Sequence, residues 1–337
     1  MRLLLPFLLL FFVPLNGQRS DFNRIDFATA DSIAGSHKGA SLKNLPVLTH
    51  KLTASLSTEV EKFRAIYTWV STNIENDYAS YLKTSSKRKK LAKDREAFLE
   101  WNDNFTPKVF EKLVKDKKTA CTGYAYLIRE MASLASLNCK IINGFGRTAT
   151  LHLNKNSSPN HSWNVIKLND KWYVCDATWS AGKVFIEDDG PRFESNYFDG
   201  YFLAEPALFL KNHYPIESDF LLMTSAPTFE EFLEGPVVYK EAFEHNIVPT
   251  APKQMFLETT RNEKIVFVLM APFNLKGKQI SMVLDNGNSS KKIVPKITRN
   301  KTQITLNHSF ERTGKYDVHI KLEESLIATY VIRVKRK

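Results

Sequence analysis

Cys121, His161 and Asp176 are the side chains on which chemistry could be built. A thiol becomes a strong nucleophile when a base takes its proton, and an imidazole serves better when a carboxylate orients it. After Cys121 the apolar residues Tyr124, Leu127, Ile128, Met131 and Leu134 recur at helical spacing, so a buried helix begins at or just before the cysteine. The positive end of its dipole favours thiolate. The Cys121 backbone N–H, pointing out of that helix start, is a candidate oxyanion donor. Small residues at Gly123 and Ala125 let a substrate or a strand approach the first turn.

The other two residues must be brought together by a hairpin. Ser162 to Leu168 and Lys171 to Ala177 are β-prone runs separated by Asn169-Asp170, a two-residue turn signal. That register sets Leu168 opposite Lys171 and Trp163 opposite Asp176. His161 and Asp176 then share a sheet face as diagonal neighbours, about 7–8 Å apart at the backbone. One extra turn residue would send Asp176 to the other face.

Rival readings of these residue types are weaker. His152 competes for the role of base but lacks a hairpin carboxylate. His213 is read as packing or hydrogen-bonding to a loop, not as catalytic. Cys139 and Cys175 invite a disulfide, since there are three cysteines in all. With the strands in sequence order the pair would lie two strands apart, about 9–10 Å, beyond disulfide reach. Both are therefore expected to be buried and reduced. No CxxC, HExxH or other ligand spacing occurs, so neither metal nor cofactor is expected.

Four pieces of the chain together resemble the transglutaminase-like superfamily, a papain-related cysteine fold. They are Ala65-Ile66-Tyr67-Thr68-Trp69-Val70, Cys121-Thr122-Gly123-Tyr124-Ala125, His161-Ser162-Trp163-Asn164 and Trp172-Tyr173-Val174-Cys175-Asp176-Ala177-Thr178-Trp179. Tyr201-Phe202-Leu203-Ala204-Glu205-Pro206 and His213-Tyr214-Pro215 resemble the branch that includes kyphoscoliosis peptidase, although Phe220 stands where that branch usually has tryptophan. The resemblance covers roughly residues 45 to 225. It implies that Cys121 is the nucleophile, His161 its base and later acid, and Asp176 the orienting group. It also implies acyl transfer on amides of a protein or peptide, with either water or an amine as acceptor. A peptidase acting on peptide or isopeptide bonds is the expectation. The alternatives are an amine-accepting transglutaminase and a scaffold that uses the same fold for binding.

The rest of the chain must position that site. Its 337 residues suggest two domains. Met1 to Gly17 carries Arg2, an apolar run from Leu3 to Val13 and then Pro14, too short to span a bilayer, and reads as a cleaved signal peptide. Export to the periplasm or outside the cell follows, with no stable membrane insertion after cleavage. Residues 18–236 are then the catalytic domain, α+β, with the cysteine helix packed on an antiparallel sheet. Within it, Asp21 to Leu56 reads as a polar lead-in with one short helix. Phe63, Ile66, Tyr67, Val70 and Ile74 mark an amphipathic helix capped by Ser57 or Thr58, with Trp69 in the core. Asp77 to Asn104 reads as an irregular insertion, and Thr106-Pro107 as the start of the next helix. Ser180 to Asn196 is a polar excursion and Tyr197 to Leu203 a strand.

The formal charge is +11, with a basic run at Lys87-Arg88-Lys89-Lys90 continued by Lys93 and Arg95. Such a run is read first as a solvated face, and functionally as a contact for an anionic cell-envelope surface. No nucleic-acid module accompanies it, so nucleic acid is not expected as a partner. From residue 237 the grammar changes to short β runs separated by turns, which fits an all-β immunoglobulin-like sandwich over 237–337. Lys291–Ile297 is read as one of its strands, and Gly314-Lys315-Tyr316-Asp317-Val318 resembles the corner-tyrosine turn of such domains.

Overall fold

The computed structural model of the chain describes residues 19–336, apart from 92, 152, 189, 272–274 and 276. The leader expected over Met1–Gly17 and the rival base His152 lie outside the described residues.

The α+β class holds. The first half runs α1 (Ala28–Ser36), α2 (Leu45–Thr53), α3 (Glu59–Asn73), β1 (Glu75–Asn76), α4 (Tyr78–Leu91), α5 (Arg95–Asp116), β2 (Lys118–Thr119) and α6 (Cys121–Leu134). It continues with β3 (Asn138–Gly146), β4 (His161–Leu168), β5 (Lys171–Cys175), α7 (Ala177–Ala181), β6 (Gly182–Glu187), β7 (Gly190–Ser195), α8 (Pro206–Phe209), β8 (His213–Pro215) and α9 (Phe229–Glu234). A capping box on Thr58 and Glu61 starts α3, so the better of the two expected caps is the threonine.

The sheet order is β5-β4-β3-β8. Leu168 pairs with Lys171 and Asn164 with Cys175, the register the Asn169-Asp170 turn demands. Both turn residues have positive φ, 47° and 65°, as a type I′ hairpin requires. Side chains alternate across the sheet. Ile166, Leu168, Tyr173 and Cys175 face a layer containing Phe63 and Ile66 of α3 and Ile128 and Met131 of α6. On the other face Ile142, Trp163, Val165 and Val174 join a second apolar cluster that continues through Phe243 to Phe267 and Tyr330. The catalytic sheet and the β-rich C-terminal part thus share one core.

That part opens with β9 (Val237–Val238), α10 (Lys240–Glu244) and β10 (Val248–Ala251), followed by β11 (Phe256–Thr260), β12 (Lys264–Met270), β13 (Ile280–Asp285) and β14 (Ser290–Ile293). It closes with β15 (Lys296–Asn300), β16 (Gln303–Ser309), β17 (Gly314–Leu322) and β18 (Ser325–Lys335). One sheet is ordered β10-β12-β16-β15, the other β11-β18-β17-β13-β14 with β9 beside β18. The run Lys291–Ile297 is not one strand but two, in different sheets, broken at Val294-Pro295 because proline cannot donate to a ladder. Tyr316 Oη does donate back to the Arg312 carbonyl, at 3.2 Å.

Four further expectations fail. The lead-in holds two helices, both packed against α3. The insertion after Asp77 is helical: Asp77 accepts from the Ser80 N–H at 3.0 Å at the head of α4 and pairs with Lys112 of α5. Thr106-Pro107 starts nothing, since α5 begins eleven residues earlier, capped by the Asp94 carboxylate accepting from Ala97 N–H at 3.0 Å. Ser180–Asn196 contains the β6–β7 hairpin, whereas Tyr197–Leu203 contains a short 3-10 turn at Asp199–Tyr201 and no strand. The turn lets Tyr201 enter one core and Phe202 the other, and leaves Asp199 facing Arg64 at 3.2 Å.

Candidate active site

Cys121 is the first residue of α6, and its thiol is buried and free. The parallel pair β1–β2 carries the chain to it, Asn76 opposite Thr119. Gly123 is required one turn on: a Cβ there would lie 1.8 Å from Thr119 Oγ1. The helix is fastened to the sheet by Asn164, whose side-chain N–H groups donate to the carbonyls of Ala125 (2.9 Å) and Lys140 (3.2 Å).

His161 opens β4. The loop before it is pinned by Asn160, whose side chain accepts from Gly146 N–H at 2.7 Å and donates to Gly146 O at 2.9 Å. Trp179 stacks on the His161 ring, centroids 5.2 Å apart. His161 Nε2 lies 2.7 Å from Asp176 Oδ2, which leaves the other ring nitrogen for the thiol, and Cys121 and His161 are near enough to shift each other's protonation.

Asp176 is held by a helix as well as by the hairpin. It caps α7: Oδ1 accepts from the backbone N–H of Thr178 at 2.8 Å and of Trp179 at 3.3 Å. Tyr67 of α3 donates to the Asp176 carbonyl at 2.9 Å. One carboxylate oxygen therefore serves the fold and the other serves imidazoles.

The second imidazole is His213. Its Nε2 lies 3.1 Å from the same Oδ2, and its ring is fully buried among Trp163, Trp179, Tyr201 and Phe209. The sequence reading left it out of the site. Its strand β8 pairs at the far edge of β3, Gly146 opposite His213, and that long-range pairing has no local trace. One signal did exist. Gly144 in the middle of a strand marks a close backbone approach, and a Cβ there would sit 2.1 Å from the Tyr214 carbonyl oxygen of β8.

Burial alone would raise the Cys121 thiol, but the His161 ring and its charge, the Ser162 backbone N–H and the Arg88 charge outweigh it and bring the thiol below its ordinary value. Burial would lower His161, yet Asp176 and the thiolate hold it up at about 10. Burial would raise Asp176, and the two histidines depress it instead. For His213 burial prevails over Asp176, and it titrates near 4. At neutral pH His161 is then an imidazolium, Asp176 a carboxylate and His213 a neutral imidazole, with Cys121 biased towards thiolate. Cys175 and Cys139 go the other way: burial pushes the first well up and the second to about 12. All three cysteines are free, with β4 between the strands of Cys139 and Cys175, although Cys139 is only half-buried. The ligand atoms of His161, Asp176 and His213 lie within 4.8 Å of one another, close enough to hold a metal ion, but each is already engaged in the hydrogen bonds described.

A thiol at a helix start, a histidine at a strand start and an aspartate at a helix cap are the parts a cysteine nucleophile with an oriented base requires. Residues 46–177 match the family model of the Transglutaminase-like superfamily. The chain is 26% identical over 298 residues to human kyphoscoliosis peptidase, covering 85% of this chain and 41% of that one. It is 23% identical over 234 residues to Hillarin of Drosophila melanogaster, covering 66% of this chain and 26% of the other. The chain spans well under half the length of either relative. A solved transglutaminase (TGase) superposes over 45% of this chain and 32% of its own, with TM-score 0.26 and 16% identity. A score that low adds nothing to the fold.

Proposed function

We propose that the protein is an exported cysteine peptidase that hydrolyses peptide or isopeptide bonds in protein substrates through Cys121, His161 and Asp176. The observation that carries the reading is the 2.7 Å contact of His161 with Asp176, made at a cleft that both Cys121 and His161 line, with thiol and imidazole near enough to shift each other's protonation.

The thiolate attacks the amide carbonyl carbon, forming a C–S bond while the C=O π pair moves to oxygen. The Cys121 backbone N–H at the start of α6 is the donor offered to that oxyanion. Collapse of the intermediate breaks the C–N bond, and the His161 imidazolium gives its proton to the departing amine. Neutral His161 then takes a proton from water as the water attacks the thioester, and the C–S bond breaks to return the thiolate. Asp176 keeps the ring oriented and stabilises its charge throughout. The leader over Met1–Gly17 supports a periplasmic or extracellular location, residues 18–236 form the catalytic unit, and the immunoglobulin-like sandwich positions it.

The family's other acyl acceptor is an amine. Incubation of the protein with a casein-type substrate and a fluorescent primary amine separates the two chemistries. Peptidase action gives new N-termini by mass spectrometry with no dye in the protein. Dye incorporation without new termini would replace hydrolysis by transamidation, and neither product would remove the enzymatic reading.

A further inference from the structure

The cleft over Cys121 has two lobes, of about 500 Å³ and about 490 Å³. They meet at the nucleophile, sharing Tyr81, Cys121, Leu151 and Asn160. A chain laid through both would pass its reacting carbonyl over the sulfur with residues on either side. The charges lining the two lobes are one-sided. Arg88 and Lys89 of α4 line one, Lys183 of β6 and Lys240 of α10 the other, and no Asp or Glu of the described residues lines either. Arg88 is close enough for its charge to act on the sulfur, and its buried Nε has no hydrogen-bond partner. Lys240 belongs to the segment after residue 237, so the second half of the chain supplies part of the cleft wall. The β6–β7 hairpin adds apolar surface beside Lys183: Phe185 is 39% and Ile186 69% exposed.

Resting on the peptidase reading above, we infer that the substrate is an acidic polypeptide segment, with carboxylates on both sides of the acyl carbonyl and an apolar residue against the β6–β7 hairpin. Cations at both ends of a cleft without a carboxylate concentrate an anionic chain and repel a cationic one. Other polyanions share the charge but not the apolar residue or the amide that this cleft is built around.

The test separates binding from turnover. Fluorescein-labelled peptides of one length, flanked by Glu, Gln or Lys around a central Leu-Gln, are titrated against full-length Cys121→Ser protein by anisotropy. The Glu peptide is expected to bind roughly tenfold tighter than its Gln isostere at low salt, with the Lys peptide weakest. That gap should close at high ionic strength. Lys89→Glu with Lys183→Glu, both exposed and outside the triad, should abolish the preference while leaving the melting temperature unchanged. Equal binding of Glu and Gln peptides would overturn the inference, as would an oligonucleotide or sulfated polysaccharide that binds where the Glu peptide does not. Wild-type protein is then given the same peptides. Binding without cleavage would sink the peptidase reading alone, whereas cleavage without an acidic preference would sink this inference alone.

Discussion

Two charge clusters, one half-buried around the buried Arg64 and one fully buried around Asp176, lie on either side of the Asp199–Phe202 turn, and they do opposite things with the same physics. In one, Arg64 of α3 holds Asp31 by a bidentate pair (Nε to Oδ1 2.7 Å, Nη2 to Oδ2 2.9 Å) and reaches Asp199 at 3.2 Å. Arg19 completes it at 2.8 Å from Asp199. Burial would lower the guanidinium, but its carboxylate partners raise it further out of the titratable range. In the other, Asp176 takes both imidazoles on one oxygen and two backbone N–H groups on the other. The arginine cluster cannot move a proton at neutral pH and meets no nucleophile, so it fastens α1, α3 and the turn together. The aspartate cluster contains groups that can exchange a proton and ends on a sulfur in a cleft. Burial of charge alone does not make a reactive site. A partner that titrates and an opening to substrate do.

The comparison can be broken at several points. Asp176→Asn keeps an α7 cap but loses the carboxylate that holds His161, so the rate of acyl transfer should fall by roughly 10³–10⁴. Circular dichroism should show the fold intact, and a variant retaining most of its rate would remove Asp176 from the site. Arg64→Met leaves Asp31 without its cation and Asp199 with Arg19 alone. Urea denaturation should show about 1–3 kcal/mol lost, with the reactivity of Cys121 in the folded fraction unaltered. A change in that reactivity would join the two clusters functionally.

His213→Phe should have a smaller effect, about tenfold on rate, as removal of an outer-shell partner does elsewhere. With one donor fewer on Asp176, more of its charge is felt by His161, so the alkaline limb of the pH–rate profile should move upward. His213→Gln, which restores a donor, should return it. A rate loss with an unmoved profile would reduce His213 to packing.

The pH profile itself tests the electrostatics. His161 is raised from 6.5 to about 10 and Cys121 lowered from the ordinary thiol value. Activity should therefore set in below the usual thiol range and decline as pH rises through about 10. Linkage gives the same sign for stability. The contribution of His161 is complete below its unfolded value of 6.5 and is lost as pH rises through about 10. Against His161→Gln, the stability advantage of the wild type should shrink across that window, and a constant difference would contradict the raised value.

Much of the site was legible because each part of it is specified locally. A helix start places Cys121, and a two-residue turn with both φ positive sets the hairpin. A strand end that becomes a helix cap fixes Asp176. What was not legible depends on contacts between distant segments. His213 enters through β8 pairing with the far edge of β3. From Tyr78 to Asn104 the helical residues are polar and carry no continuous apolar stripe, so periodicity revealed only the end of α5, beyond Thr106-Pro107. Tyr197–Leu203 is apolar because it bridges two cores across a turn, and composition alone read that as a strand. In the C-terminal half most strands were visible from their β-branched runs, but the Pro295 break mattered more than the apolar run around it.

The central claim is that His161 keeps the Cys121 proton off at neutral pH. Timed labelling with iodoacetamide at pH 7, read residue by residue by mass spectrometry, tests it without knowledge of the substrate. The account predicts that Cys121 of the wild type reacts roughly 10²-fold faster than in His161→Ala or in urea-unfolded protein, while Cys139 and Cys175 lag behind. Equal rates for Cys121 in wild type and His161→Ala would contradict it.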